Sequence, residues 1–392
     1  MEKPSKKKSN ILVRLILFLV ALVMVLGAVS LVLFRDRLNM DTFRRWFNYR
    51  TLSLSDSGQA ESFRYSGTVN DVFADLDGDL LVCTGNAISL YSGSGTQYID
   101  QQVSMTAPAV DVRGNTAVVY DAGGSELYVF RQRTPAFSLN CDGSLLSAHL
   151  NNSGYLTVVS QESGYRGVVS VYDRKGNTKA ALRLSSAYIM EAVLADDCST
   201  LSVVTIGQES GSFLSVLSVY DLSAIPTGET IYEVSPSATL SLGNSVILAL
   251  RQMDNSVFAL GDRGAHIFDS SATLSGSVDW SDLYLKNYSL TGDGFAVALL
   301  GKYRAGSQSV LYTVDNAGVL TGSLALEEQI LSLSAAGQYF AILTADRLDI
   351  YTSTMELYNS LSGTQGARKV LLRADGTAML ISADSARLYV PS

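Results

Sequence analysis

One phrase returns eight times along this chain and restricts what it can fold into. A short apolar run ends in an aromatic residue or valine, often followed by Asp and a Gly-containing turn. The copies are Ile88–Tyr91, Leu127–Phe130, Val169–Asp173, Leu217–Asp221, Ala265–Asp269, Leu311–Asp315, Leu348–Tyr351 and Leu388–Val390. Their ends lie 37 to 48 residues apart, about 43 on average, which is the period of a four-stranded propeller blade. A single copy cannot bury its own apolar face, so neighbouring copies must stack. The repeat therefore predicts an all-β chain whose sheets curl into a ring.

A second marker runs in phase with the first. Hairpin glycines fall at Gly78, Gly114, Gly154, Gly294, Gly337 and Gly376, with Asp197 and Asn255 expected to take the position in the other two copies. Gly, Asn and Asp suit turns that need positive φ. Each turn precedes a nearly continuous apolar strand: Leu80–Cys83, Ala117–Tyr120, Leu156–Val159, Leu201–Val204, Val257–Leu260, Phe295–Leu299, Phe340–Leu343 and Ala378–Ile381. Such runs fit strands covered on both faces. Eight blades result. Seven is the alternative if the stretch Asp221–Ser237, marked as an insertion by Pro226 and Pro236, is not part of a blade. The eighth module stops after three strands, whereas Ser62–Ser66 precedes the first module without a partner. The expectation is that this segment supplies the missing outer strand and closes the ring, removing an edge open to aggregation.

Ahead of the repeat lies a different kind of sequence. Leu15–Phe34 carries no charge and holds fifteen Leu, Ile, Val or Phe residues, long and apolar enough to cross a bilayer. A cleaved signal peptide would have a shorter apolar region, and here the run continues past Ala28 and Ser30. The expected organisation is a basic cytoplasmic tail (1–10), a transmembrane helix (11–35), a juxtamembrane segment and linker (36–60) and a propeller (61–392). Five basic residues precede the span and Arg35, Arg37, Arg44 and Arg45 follow it, so flanking charge barely sets the orientation. The short tail and the ease with which large domains translocate place the propeller outside the membrane. Phe43, Trp46 and Phe47 share one face of a helical turn beyond the span. The first fifty residues carry a net +7, which leaves −15 on the remainder of a chain whose total is −8. An acidic propeller argues against nucleic acid or anionic lipid as its ligand.

Motifs for chemistry are sparse. Asp75–Leu76–Asp77–Gly78–Asp79 has alternating carboxylates around a Gly turn, a spacing able to wrap Ca²⁺, but it lacks the downstream Glu of an EF-hand and reads as a hairpin turn. His149 and His266 are the two histidines, each in a predicted strand of a different blade and outside any nucleophile or ligand motif. Cys83, Cys141 and Cys198 are widely spaced, an odd count that suggests neither a disulfide framework nor zinc. No catalytic, cofactor-binding or metal-binding residue is assigned, and no cofactor is expected.

Through endings such as Val171–Tyr172–Asp173 to Gly176, the chain resembles quinoprotein-like and WD40-like propellers. Trp280 is the sole tryptophan of the repeat region, a departure from the Trp-rich quinoproteins that puts a bound quinone in doubt. More narrowly, Ala107–Val110, Val118–Gly124 and Leu127–Phe130 look like the early blades of an uncharacterised bacterial family. That resemblance implies one span and an extracytoplasmic propeller. The expected function is a membrane-anchored scaffold that binds a protein or an envelope polymer. The alternative is an extracytoplasmic hydrolase or cofactor-dependent oxidoreductase working at the channel mouth, which a convergent cluster of His, Asp, Glu or Arg on first-strand ends, with His149 beside ionisable groups at the axis, would favour. A sensor is disfavoured by the short tail.

Overall fold

Continuous apolar runs separated by positive-φ turns can hide both faces only inside stacked sheets, and that is what the chain builds. A computed structural model describes residues 17–20, 22, 24, 40–50, 52–209, 211–223, 225–232 and 235–391. The described strands form eight sheets, antiparallel but for one added strand. The second strands are buried along nearly their whole length, from Asp79–Cys83 in blade 1 to Ala378–Ile381 in blade 8. The outer strands alternate between exposed and half-buried, as in Leu274–Asp279 and Leu320–Leu326.

Packing explains why the blades come in a ring. The described core clusters contain residues of two consecutive blades. One joins Val118, Leu127 and Val129 of blade 2 to Leu145, Ala148 and Val158 of blade 3; another joins Phe295 and Leu311 of blade 6 to Phe340 and Ile342 of blade 7. Each fully buried Leu or Phe contributes about 1.5–3 kcal/mol, so most of a blade's stabilisation is held jointly with its neighbours.

The recurring Asp earns its place in the hairpin between third and fourth strands. Asp315 Oδ1 accepts the N–H groups of Ala317 and Val319 at 2.9 and 2.8 Å, and Asp269 does the same for Ser271 and Thr273. The side chain thus substitutes for backbone acceptors in the turn. The first hairpins are as expected at the six glycines, all with positive φ. In the other two copies the expectation is corrected by one residue: Cys198 and Asp254, not Asp197 and Asn255, take positive φ. Asp197 instead accepts from the N–H groups of Ser199 and Thr200.

Eight blades, not seven, are present. The insertion contributes Glu229–Tyr232, which pairs in parallel with the fourth strand of blade 3, Thr178–Leu184, as a fifth strand. Ring closure follows the expectation. Phe63–Arg64 pairs with Ser385–Tyr389, with Phe63 opposite Ala386. Pairing starts upstream of Ser62, since Ala60 N–H donates to Leu388 O and Val390 N–H to Gly58 O, both at 2.8 Å. Blade 8 also grips blade 1 through Arg373 Nε to Asp75 Oδ1 at 2.7 Å and Lys369 Nζ to Asp71 O at 2.7 Å. Ser53–Pro391 forms one compact unit.

Among the described residues no helix is long and apolar enough to cross a membrane. The tail 1–10 lies outside the described residues, as does most of the expected span. Leu17–Val20, Leu22 and Met24 are described, and all are helical and exposed. Met40–Tyr49 is a helix, in which Arg45 Nη2 donates to Thr42 Oγ1 at 3.0 Å.

Candidate functional site

The first strand of each blade lines the axis, and the two ends of that axis differ. Toward the C-terminal ends of these strands the axis is crossed by charge. Asp111 and Arg113 come from blade 2 (Pro108–Arg113), His149 from blade 3 (Ser144–Leu150), Glu191 from blade 4 (Tyr188–Leu194), and Arg251 and Gln252 from blade 5 (Ile247–Met253). Arg251 reaches across to blade 2, giving Nη1 to Asp111 Oδ1 at 2.7 Å and Nη2 to Val112 O at 3.2 Å. Arg113 returns the crossing by donating to Gln252 O. The second oxygen of Asp111 accepts the Leu150 N–H at 2.8 Å. The Arg251 and Asp111 side chains are only 13% and 11% exposed, so the pair is largely desolvated.

His149 therefore does sit beside ionisable groups at the axis, with Nε2 2.8 Å from Glu191 Oε2. That is the juxtaposition that would favour the enzyme alternative. Yet the carboxylates are committed: Asp111 to Arg251 and a backbone N–H, Glu191 to His149. The arrangement acts as a plug that ties blades 2 to 5 together. Burial pushes Arg113 down to about 10, and the nearby Arg251 adds to the effect against Asp111, Asp196 and Asp254.

Burial alone would lower His149, but the Glu191 hydrogen bond and charge, with Asp111, outweigh burial and Arg251 and leave it raised above 6.5. Its stabilising contribution is then fully present below 6.5 and is lost as pH rises through the raised folded value. The stability advantage of the natural chain over His149→Gln should accordingly shrink in urea unfolding as pH rises from below 6.5 through the raised folded value. A pH-independent difference would contradict the charged pair.

Other motif residues are placed differently. Asp77 and Gly78 both have positive φ in a two-residue turn between Leu76 and Asp79, the geometry that matches strand twist. Asp75 is held by Arg373, and Asp79 by Arg133 at 2.6 Å, so these carboxylates face arginines of other blades. Burial pushes the Cys83 thiol far up and His266 down. Trp280 is buried with Leu260, Leu300 and Val314 between blades 5 and 6.

The opposite end carries a feature no motif disclosed. In blades 3, 4, 5 and 6 the first strand has a bulge near its start, where pairing slips across Leu146, Met190, Leu248 and Lys286. The first strands of blades 1, 2, 7 and 8 pair without a slip. A bulge bends its strand and re-aims the extra side chain. Leu146 and Leu248 are thereby exposed, beside Tyr188 and Tyr284 at the strand starts. The register puts the hairpins between second and third strands at this same end, adding Phe213 and Tyr303; these six side chains are 42% to 65% exposed. Arg166, Arg304 and Lys302 lie over the rings of Tyr188, Tyr284 and Tyr303 at 5.3, 5.6 and 5.8 Å.

Between blades 5 and 6 this end opens into a cleft of about 740 Å³ lined by Leu248, Asp262, Arg263, Asp282, Tyr284 and Arg304, among others. Its wall is pinned from below. Lys286 Nζ donates to Gly306 O, Gln308 O and Ser309 Oγ at 2.9, 3.2 and 2.9 Å, fixing the 302–308 loop. A Cβ at Gly301 would meet Lys286 Cε at 2.3 Å, so a side chain there would displace the end of this lysine from the loop.

Residues 49–357 match a family of unknown function, DUF5711. The chain belongs to that family. Among solved structures, this DUF5711 propeller is similar to the C-terminal WD40 domain of Sif2 (14% identity, 84% of this chain and 99% of that one, TM-score 0.58). It is also similar to BamB from Moraxella catarrhalis (16% identity, 85% and 97%, TM-score 0.54). The quinohemoprotein alcohol dehydrogenase ADHIIG from Pseudomonas putida HK5 shares 9% identity over 85% and 75% of the two chains, with a TM-score of 0.53. At these identities the likeness is one of fold, and it spans both the WD40-like and quinoprotein-like groups expected from the repeat. No curated protein matches the DUF5711 chain in sequence.

Proposed function

We propose that this protein is a membrane-tethered, extracytoplasmic scaffold that docks a protein partner on the bulged end of its propeller. The observation that carries the reading is the bulged half-ring, which exposes Leu146 and Leu248 at the same end as Tyr188, Phe213, Tyr284 and Tyr303. Exposed aromatic and aliphatic groups gathered on one face mark interaction surfaces, whereas scattered ones need no explanation. Cations stacked on the tyrosines supply the Arg–Tyr composition favoured at binding hot spots. The tether rests on the uncharged run Leu15–Phe34, whose six described residues are apolar, helical and exposed. The net −15 of residues 51–392 favours a protein over an anionic polymer as the occupant.

Photo-crosslinking tests this. The full chain carries p-benzoylphenylalanine in place of Tyr188 or Phe213, or of Leu357 as a control on the opposite end, in cells that make the protein naturally. Protein adducts in the membrane fraction are expected from the first two positions and not from the third. Equal adducts at all three positions, none at any, or recovery only in the soluble fraction would contradict the proposal.

A further inference from the structure

We propose that the cleft between blades 5 and 6 seats an acidic peptide segment of the partner, presenting a carboxylate to Arg263 and Arg304 beside an apolar or aromatic side chain. This rests on the docking reading above and names the chemistry that reading leaves open.

The first argument is charge. Five of the propeller's fourteen arginines, Arg133, Arg183, Arg251, Arg347 and Arg373, stand in ion pairs with carboxylates. Arg263 and Arg304 stand in none among the described residues, although the propeller is strongly acidic. Arg304 lies over the Tyr284 ring with its Cζ 5.6 Å from the centroid, a cation–π contact that needs no carboxylate partner. Arg263 is exposed, and its backbone is fixed because its carbonyl accepts the Trp280 N–H at 2.9 Å.

The second argument is selectivity among anions. Asp262 and Asp282 line the same cleft. Asp262 is held in place by the Val246 N–H at 2.8 Å. These two carboxylates repel a polyphosphate or a nucleic acid backbone, which brings several charges, more than a single peptide carboxylate. Arginine also matches a carboxylate in a planar, two-point geometry.

The third argument is shape and preorganisation. The volume suits a few side chains, and Leu248, Leu283 and Tyr284 give it apolar wall beside the cations. The Lys286 clamp holds the loop bearing Arg304 before any partner arrives, which limits the ordering cost of binding.

The test is a selection of random twelve-residue displayed peptides on the full-length chain in detergent micelles. R263E/R304E and Phe213→Ser serve as comparison targets, each checked for an unchanged thermal midpoint. The pool should become acidic, with Tyr, Phe or Leu next to the acidic residues. Synthetic peptides from it should lose at least about tenfold in affinity on R263E/R304E, and weaken with added salt. A pool without acidic excess, or peptides that bind R263E/R304E equally well, would overturn the inference. Binding that depends on Phe213 but not on the arginines would remove the cleft while keeping the docking face. Binding to phosphatidylglycerol vesicles but to no peptide would overturn both.

Discussion

Deleting residues 58–66 should lower the thermal midpoint more than any single substitution in the propeller and should make the protein associate with itself. The segment pairs Phe63 and Arg64 with the last strand and adds the Ala60–Leu388 and Val390–Gly58 hydrogen bonds. Tyr65 is buried, donates its hydroxyl to Ser382 O at 2.8 Å, and meets the Phe73 ring of blade 1 edge-on at 5.3 Å. One buried aromatic is worth about 2–3 kcal/mol and each backbone bond about 1 kcal/mol, so the loss should exceed about 5 kcal/mol. The deletion also bares the edge of Ser385–Tyr389, which invites pairing with a second chain. Tyr65→Phe, which keeps the ring and removes only the hydroxyl bond, should cost about 1 kcal/mol. Equal midpoints for the deletion and Tyr65→Phe would show that the segment does not close the ring.

The axial plug gives the second large effect. Asp111→Ala removes the partner of Arg251 and the acceptor of the Leu150 N–H, leaving two arginines facing each other in a nearly dry site. Breaking one side of a buried pair costs about 3–5 kcal/mol, because the surviving charge keeps its desolvation penalty. The double variant Asp111→Ala/Arg251→Met should recover part of that loss, since both charges are then gone. Urea midpoints of the two variants would decide the matter. A double variant less stable than Asp111→Ala would mean that Arg251 is held chiefly by its bond to Val112 O.

What the sequence disclosed and what it hid follow from the range of the interactions involved. The second strands and the closing strand were legible because burial on both faces leaves an uninterrupted apolar run, and a missing fourth strand leaves a countable gap. The axial cluster was not, because Asp111 and Arg251 are 140 residues apart and neither sits in a motif. His149 was singled out for the axis, but its partner Glu191 carried no signal of its own. The bulges at Leu146, Met190, Leu248 and Lys286 were hidden for another reason. One extra residue leaves local composition unchanged and appears only in the register with the next strand. The fifth strand Glu229–Tyr232 escaped because four residues between prolines carry no alternation long enough to read. At Cys198 the turn type was foreseen but the left-handed residue was displaced by one, since the neighbouring Asp197 side chain supplies its own turn hydrogen bonds.

Hydrogen exchange on the intact full-length chain tests the closed ring most directly. Amides of residues 60–65 should be protected for as long as those of the buried strand Ala378–Ile381, because both belong to one sheet. Exchange of 60–65 at the rate of the exposed 302–308 loop, with 378–381 still protected, would mean that the ring is open.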